Sequence, residues 1–211
     1  MSKEVGALVL AGGKSTRMGT NKSFVTLGGM PLIQIIVEKL ARVFEDRVYI
    51  LTNTPALYKQ FRLPMISDRI KDRGPLSGIQ AGLSQSPFGH NFFVACDMPY
   101  INPTLIGYMT ETLKEEFDVT VPLAHGRPEP LHGFYSKNCL PEIERLLESG
   151  RCRLTDLFDG LRVRYVSERI VRKFDPHLVS FNNLNTPEDL SKAQAMMGSG
   201  FMPMASGMSP I

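Results

Sequence analysis

Short apolar runs alternate with longer segments of helical spacing, and this alternation constrains the fold of the chain more than any other feature. Residues 5–11, 48–51 and 92–96 are predicted to be buried strands because they are short and almost wholly apolar. Helices are predicted between them, over residues 31–42 and 74–86. Strands that alternate with helices form a parallel sheet that the helices cover. The pattern therefore predicts an α/β protein, a single Rossmann-like domain whose mostly parallel sheet is flanked by helices on both faces.

The rest of the chain continues this pattern less regularly. A helix capped by Asn102 is predicted over residues 103–116, and a last helix is predicted after Thr186, with Pro187 in its first turn. The other predicted elements are strands at residues 24–27, 65–66, 119–123, 133–136 and 163–166, and a helix at residues 141–149. These shorter elements are predicted to complete the same domain.

Charge and composition exclude several classes of function. The net charge of +3 is too small to indicate a nucleic-acid binder, and no apolar run is long enough to cross a membrane. The three cysteines have no CxxC spacing, and the four histidines have neither zinc-ligand spacing nor a Ser-His-Asp arrangement. We expect a cytoplasmic protein with one domain over residues 1–197. Residues 198–211, which lack charge and periodicity, are predicted to be a disordered tail.

The segment LVLAGGKSTRMGTNK, residues 8–22, follows the first predicted strand and has the composition of a phosphate-binding loop. Glycines without a Cβ let the backbone approach phosphate oxygens closely. The spacing matches neither a P-loop nor the G-x-G-x-x-G of dinucleotide-binding domains, so any phosphate site here follows another plan. Two alternatives stay open at this point. One is that the two glycines, Gly12 and Gly13, serve no purpose beyond a tight turn between strand and helix. The other is that the three basic side chains, Lys14, Arg17 and Lys22, form a solvated surface.

Polar side chains follow four of the predicted strands at the point where each strand ends. Gly12 and Gly13 follow the first strand, Asn53 the second, Asp68 the third and Asp97 the fourth. Because ligands bind beyond the carboxyl ends of strands in open parallel sheets, we expect these residues to converge on one edge of the sheet. The sequence therefore predicts a ligand site at that edge.

Each of these polar residues also has a structural interpretation. Asn53 can be a turn residue or a helix cap before Pro55, and Asp68 can form an exposed ion pair with its neighbour Arg69. Asp97 is harder to explain in this way, because a carboxylate at the boundary of an apolar core costs free energy unless a metal or donors compensate it.

Basic side chains gather again in the second half of the chain. A solvated face is the ordinary explanation for them, and a second anionic ligand that approaches from this side is the functional alternative. The residues are Arg145, Arg151, Arg153, Arg162, Arg164, Arg169, Arg172 and Lys173.

Four sequence motifs are spread along the chain. They are L-A-G-G-x-S-x-R-M-G-x-x-K at residues 10–22, G-P-L-x-G at 74–78, C-D-M-P at 96–99 and N-x-N-T-P-E-D-L at 183–190. Taken together, they resemble the molybdenum cofactor guanylyltransferase family. The first motif alone would indicate only the wider nucleotidyltransferase superfamily. The four occur in the order of the family, and the similarity extends over residues 5–195.

The resemblance implies a division of the domain into an N-terminal nucleotide-binding part and a C-terminal pterin-binding part. It implies catalytic roles for Lys22, Arg17 and Asp97, with Asp97 also holding Mg²⁺, and pterin contacts from Asn183 and Asn185. The GTP-binding residues that it implies are Leu10, Ala11, Gly12, Gly13, Lys22, Asn53, Asp68, Gly78 and Asp97.

The reaction that the resemblance implies is transfer of GMP from Mg-GTP to the phosphate of molybdopterin, bare or molybdenum-loaded, with release of pyrophosphate. An acceptor phosphate with a second pKa of about 6 is largely ionised at neutral pH, so no histidine base is needed. We expect a monomer that contacts molybdoenzyme apoproteins, or other proteins of cofactor biosynthesis, transiently. The alternatives are a CTP-dependent cytidylyltransferase that acts on the same pterin and a non-catalytic GTP-binding carrier or sensor.

Overall fold

A computed structural model describes residues 5–12, 21–68 and 73–198 of the chain. The strands are β1 (Val5–Leu10), β2 (Thr26–Leu27), β3 (Met30–Pro31), β4 (Val48–Leu51), β5 (Met65–Ile66), β6 (His90–Ala95), β7 (Val119–Ala124), β8 (Arg127–Pro128), β9 (His132–Ser136) and β10 (Val163–Val166). The helices are α1 (Leu32–Phe44), α2 (Gly74–Gln85), α3 (Pro103–Glu111), α4 (Leu140–Glu148), α5 (Glu168–Val171) and α6 (Pro187–Gly198). Short 3-10 turns lie between several of them.

The central sheet has the strand order β10-β7-β9-β6-β1-β4-β5, and β8 pairs with β7. β1 is parallel to both β4 and β6, β4 is parallel to β5, and β10 is parallel to β7. In the main strand order, only β9 runs antiparallel to its neighbours β6 and β7. Leu10 lies opposite both Leu51 and Ala95, so the carboxyl ends of β1, β4 and β6 are level with one another. The prediction of a mostly parallel sheet is confirmed.

The core has two main layers, one on each face of the sheet. In β1, Ala7 and Val9 belong to the core cluster that contains the buried residues of α1 and α3. Leu8 and Leu10 belong instead to the cluster that contains the buried residues of α2 and α4. Because successive side chains of a strand point to opposite faces, a strand that is apolar at every position requires both layers. The predicted helices on both faces are confirmed.

A third, smaller apolar cluster joins the two ends of the domain. It contains Leu27 of β2, Leu32 of α1, Ala193 of α6, and Leu184, which precedes α6. β2 and β3 form a hairpin whose two turn residues, glycines 28 and 29, have positive φ angles of 59° and 82°. Glycine adopts such angles without steric cost. This cluster packs the last helix against the segment that follows the glycine-rich loop.

Several predicted elements have different bounds in the structure. Pro31 does not lie in the first turn of α1: it pairs with Thr26 in the hairpin and has extended ψ, so the helix begins one residue later and continues to Phe44. The strand predicted at residues 24–27 is a 3-10 turn followed by two strand residues. α3 ends at Glu111, because the backbone N–H of Thr112 bonds the carbonyls of both Tyr108 and Thr110 and tightens the last turn.

Other elements were not predicted, and the tail has only a partial description. α5 and β8 are too short to leave a periodic pattern in the sequence. α6 begins at Pro187 as predicted and runs to Gly198, while residues 199–211 of the predicted tail lie outside the described residues. No helix in the described ranges combines the length and the apolar character that crossing a membrane requires.

Candidate functional site

A cleft of about 840 Å³ lies at the carboxyl ends of β1, β4, β5 and β6. The predicted site residues that line it are Leu10, Gly12, Lys22, Asn53, Asp68, Gly78, Asp97 and Asn183. They come from separate segments that the level strand ends bring to one edge of the sheet. Gly13 and Arg17 lie outside the described residues. The structure thus brings Gly12, Asn53, Asp68 and Asp97 to one edge of the sheet, whereas Ala11 and Asn185 do not line the cleft.

The backbone at the end of β1 continues the sheet for one residue and then opens toward the cleft. The amide of Ala11 donates to the carbonyl of Leu51 at 2.9 Å, and Ala11 is buried. Gly12 is exposed, and a Cβ built on it would meet no described atom within 4 Å. Packing within the described chain thus does not require glycine at this position, whereas close approach of a ligand to the backbone would.

The hydroxyl of Tyr58 forms hydrogen bonds with residues before and after the glycine-rich loop. It lies in the 3-10 turn Pro55–Phe61, and its buried hydroxyl donates to the carbonyl of Ala11 at 2.8 Å. The same hydroxyl lies 2.9 Å from Ser23 Oγ and accepts from Asn21 Nδ2 at 3.2 Å. Tyr58 therefore holds the residues that precede and follow the loop at a fixed separation. Sequence analysis missed this role, because a tyrosine in an irregular segment carries no pattern.

Lys22 is the cation at the centre of the described site. Its ammonium donates to Asn185 Oδ1 at 2.7 Å and lies 3.4 Å from Asp97 Oδ2. The side chains of Lys22 and Asp97 are only 17% and 18% exposed, so water screens their interaction weakly. Residues from the first, third and fourth sequence motifs thus meet at one ammonium group.

The loop that carries Asp97 is held from two directions. The carbonyl of Asp97 accepts from the amide of Leu184 at 2.9 Å, and the carbonyl of Pro99 accepts from Lys39 Nζ at 2.7 Å. Burial lowers the pKa of Lys39 to about 8, and burial raises the pKa of the adjacent Cys96 thiol to about 11. Cys96 is therefore a neutral core residue, and Asp97 is the acidic group that the loop presents to the cleft.

Asp68 joins the end of β5 to the first turn of α2. Its Oδ2 accepts from Ser77 Oγ at 2.6 Å, and Ser77 Oγ also lies 2.9 Å from the carbonyl of Gly74. The alternative ion pair with Arg69 involves a residue outside the described ranges. Asn53 is exposed at the end of β4, where it lines the cleft.

Gly78 has a packing role in addition to its place on the cleft. A Cβ at this position would lie 2.8 Å from Leu10 Cδ2 and 3.5 Å from Leu51 Cδ2. Both leucines belong to the core beneath α2. Glycine therefore lets the first turns of α2 approach the strand ends that form the floor of the cleft.

The acidic side chains at the cleft bear on the expected magnesium ion. Within residues 5–12, 21–68 and 73–198, no group of three or more His, Cys, Asp and Glu side chains is arranged to hold a metal ion. Three carboxyl side chains line the cleft: Asp97, Asp68, which accepts a hydrogen bond from Ser77, and Glu129. Mg²⁺ usually binds one or two carboxylates together with substrate phosphates and water, so this donor set suits an ion that arrives with the substrate.

The second half of the chain supplies a wall of the cleft that sequence analysis did not single out. Residues 129–131 and 152–155 line it, and burial raises the pKa of the Glu129 carboxyl to about 6. The only indication in the sequence was the run of basic residues, because neither segment carries a periodic signal.

Four of the eight basic residues in that run form ion pairs with described residues. Ion pairs join Arg145 to Glu142, Arg151 to Asp156, Arg162 to Asp118 and Arg172 to Glu168. Arg153 differs from them: it lines the cleft and forms no ion pair within the described part of the chain. The solvated-face interpretation thus suits the paired residues, whereas Arg153 remains a candidate for binding an anionic ligand.

The chain is similar to known proteins over most of its length. A family model described as MobA-like NTP transferase domain matches residues 7–165. A probable molybdenum cofactor guanylyltransferase of Natranaerobius thermophilus is 36% identical over 203 residues, which are 94% of this chain and 98% of the relative. A molybdenum cofactor guanylyltransferase of Desulfosudis oleivorans is 39% identical over 197 residues, with 93% and 97% of the two chains covered.

Solved structures agree with the sequence comparison. The molybdopterin-guanine dinucleotide biosynthesis protein A of Archaeoglobus fulgidus is 31% identical, with a TM-score of 0.81 over 92% of this chain and 99% of the other. A 4-diphosphocytidyl-2C-methyl-D-erythritolsynthase of Anaerococcus prevotii is 14% identical with a TM-score of 0.69, which shows a shared fold.

Proposed function

Because the chain belongs to the MobA-like NTP transferase family, we propose that it transfers GMP from GTP to the phosphate of molybdopterin, bare or molybdenum-loaded. The products are molybdopterin guanine dinucleotide and pyrophosphate. The observation that carries this proposal is the meeting of Lys22, Asp97 and Asn185, which joins three of the four family motifs at the cleft. The names of relatives that cover nearly the whole chain support guanine as the base.

The lining of the cleft supports two substrates side by side. One group of lining residues, which we call the nucleotide wall, comes from the first half of the chain and includes Gly12, Asn53 and Asp68. A second group, which we call the acceptor wall, comes from the second half and includes Arg153 and Asn183. A volume of about 840 Å³ lies at the upper end of the range for small-molecule sites, which suits a nucleotide together with an acceptor. We assign the first wall to GTP and the second to the pterin.

The chemistry requires charge neutralisation more than proton transfer. The acceptor phosphate is ionised at neutral pH and can attack the α-phosphorus without a base. No histidine is among the cleft-lining residues of the described chain, and His132 is a core residue whose pKa burial lowers to about 3. Two polyanions must be held together for in-line attack, and fixed cations and backbone N–H groups perform this task.

Each role that the proposed reaction requires has a candidate in the chain itself. Lys22 neutralises charge on the leaving pyrophosphate, the backbone at Gly12 approaches the phosphates, and Arg17 assists Lys22. Asp97 holds Mg²⁺, which when bound supplies a Lewis acid and charge stabilisation at the phosphates. Arg153 is our candidate for binding the phosphate of the acceptor, since it is the one arginine among the described residues that line the cleft.

The proposal also covers the oligomeric state, the compartment and the partners of the protein. We propose that it acts as a monomer in the cytoplasm, where the free thiols of Cys96, Cys139 and Cys152 remain reduced. Transient contact with molybdoenzyme apoproteins, or with other proteins of cofactor biosynthesis, would deliver the product. Size-exclusion chromatography with light scattering tests the monomer, and a larger mass would contradict it.

Pyrophosphate release from the purified protein tests the proposed function. With molybdopterin present, Mg-GTP should release pyrophosphate, whereas Mg-CTP and a reaction without pterin should not. The Asp97→Ala variant should lose turnover, because Mg²⁺ loses its protein ligand. Release with CTP would overturn the choice of base, near-normal activity of Asp97→Ala would overturn the role of Asp97, and GTP binding without any release would indicate a carrier or sensor.

A further inference from the structure

The two asparagines of the N-x-N-T-P segment have different surroundings. Asn183 is exposed and lines the cleft. Asn185 is half-buried, and its Oδ1 accepts a 2.7 Å hydrogen bond from the ammonium of Lys22. The resemblance places both asparagines near the pterin, but the contact of Asn185 is with the cation assigned to the nucleotide phosphates.

The backbone on either side of Asn185 is firmly held. The amides of Asn185 and Thr186 both donate to Asp189 Oδ2 at 2.9 Å, and Thr186 Oγ1 accepts from the amide of Asp189 at 3.1 Å. The amide of Leu184 donates to the carbonyl of Asp97, and the side chain of Leu184 is buried in the small apolar cluster. The amide oxygen of Asn185 is therefore presented to Lys22 from a fixed position.

The distances at Lys22 show which of the two acceptors, Asn185 Oδ1 or Asp97 Oδ2, lies closer to its ammonium. Asn185 Oδ1 is at 2.7 Å, a short hydrogen bond, whereas Asp97 Oδ2 is at 3.4 Å, longer than the 2.7–2.9 Å of a typical charge-assisted bond. A neutral amide oxygen orients an ammonium group without cancelling its charge. A close carboxylate contact would neutralise both groups, and both charges are needed in the reaction.

We propose that Asn185 is a positioning residue of the nucleotide half of the site, which holds the Lys22 ammonium toward the GTP phosphates and away from a full ion pair with Asp97. The carboxylate of Asp97 then stays available to Mg²⁺. This inference rests on the proposed function, because it concerns how Lys22 and Asp97 bind Mg-GTP. It assigns the two asparagines to different substrates: Asn183 to the acceptor and Asn185 to the nucleotide.

Mg-GTP binding without any acceptor tests the inference, because a residue that serves only the pterin cannot affect it. Isothermal titration calorimetry would compare the wild type with Asn185→Ala and with Asn183→Ala, a matched change two residues away. We expect Asn185→Ala to weaken Mg-GTP binding about tenfold, the usual effect of losing one hydrogen bond to a charged group. It should also raise the Mg²⁺ concentration needed for half-maximal GTP binding. Asn183→Ala should leave both quantities within twofold of the wild type.

The Asn185→Asp variant separates positioning from a merely structural role. Aspartate keeps an oxygen acceptor at the same place but neutralises Lys22, so we expect wild-type thermal stability together with weakened Mg-GTP binding. Recovery of wild-type binding in Asn185→Asp would show that Asn185 only supports the loop and would overturn the inference. Equal Mg-GTP affinity in Asn185→Ala and wild type would overturn it as well. Wild-type protein that does not bind Mg-GTP at all would instead contradict the proposed function.

Discussion

Glu129 is an acidic residue of the cleft whose carboxylate is half-buried without a compensating partner among the described residues. Its side chain is half-buried, and its carboxylate has no hydrogen bond or ion pair among the described residues. Burial raises the pKa of this carboxyl to about 6, from an ordinary value of 4.5. At neutral pH the group is thus ionised, and its ionisation lowers the free energy of unfolding. Such destabilising groups are typical of ligand sites.

The Glu129→Gln variant should reveal this cost as a pH-dependent stability difference. The raised pKa means that the folded state prefers the protonated carboxyl, so wild-type stability falls as the pH rises from 4.5 through 6. Glutamine does not ionise. Between pH 4.5 and 7.5 the variant should therefore gain about 1 kcal/mol in free energy of unfolding relative to the wild type, allowing for partial exposure. Urea denaturation at the two pH values measures it.

Glu115→Gln is the matched control for this measurement. Glu115 is exposed, so its carboxylate is in water in both the folded and the unfolded state. The control should show no comparable gain over the same pH interval. An equal gain in both variants would mean that general charge effects, rather than burial at the cleft, cause the difference.

At the scale of elements, the start of α6 links helix stability to the site. Thr186 and Asp189 form a reciprocal capping box, in which each side chain bonds the backbone N–H of the other. Hydrogen bonds from the amides of Asn185 and Thr186 lower the pKa of the Asp189 carboxyl. A lowered pKa stabilises the fold above the unfolded value, and this contribution is lost as the pH falls through the folded value. The same amides belong to the segment that presents Asn185 to Lys22.

Replacing Thr186 by alanine should lower the free energy of unfolding by about 1 kcal/mol at pH 7, because Thr186 Oγ1 accepts from the amide of Asp189. Thr104→Ala is a suitable control, since Thr104 lies in the first turn of α3 but that helix is capped by Asn102. The control should change stability by less than half as much. Urea denaturation measures both variants, and indistinguishable midpoints would contradict a capping role for Thr186.

At the scale of the whole molecule, α2 packs closely against the sheet at Gly82. A Cβ at Gly82 would lie 2.7 Å from Leu8 Cδ2 and 2.7 Å from Phe93 Cε1. Leu8 and Phe93 are fully buried, so neither side chain can move aside without disturbing the layer. The separation between helix and sheet therefore depends on a glycine in the middle of α2.

Gly82→Ala should lower the free energy of unfolding by about 1–2 kcal/mol, because overpacking outweighs the better helix propensity of alanine. Gly107→Ala in α3 is the opposite case. A Cβ there would meet no described atom within 4 Å, so the variant should gain about 0.5–1 kcal/mol. Thermal unfolding of both variants measures the contrast. A stabilised Gly82→Ala variant would show that the layers adjust easily.

The layered fold and the edge that holds the site could be predicted from the sequence. The strands β1, β4 and β6 form at the predicted apolar runs, because a strand covered on both faces is mostly apolar, although β6 begins two residues earlier, at His90. Parallel strands with level ends then bring the residues that follow them to one edge. The positions of these strands, and therefore of the edge, depend on the spacing of apolar residues that are close together in the sequence.

Three features could be known only from the tertiary structure: the direction of β9, the acceptor wall of the cleft and the partners of Lys22. β9 runs antiparallel between two strands, and no pattern within its five residues indicates the direction of the strand. Glu129 and Arg153 reach the cleft because of strand order, which local patterns do not encode. Lys22 and Asn185 meet across 163 positions of the chain. Such a contact arises from the packing of distant segments around a shared core, so no local pattern could predict it.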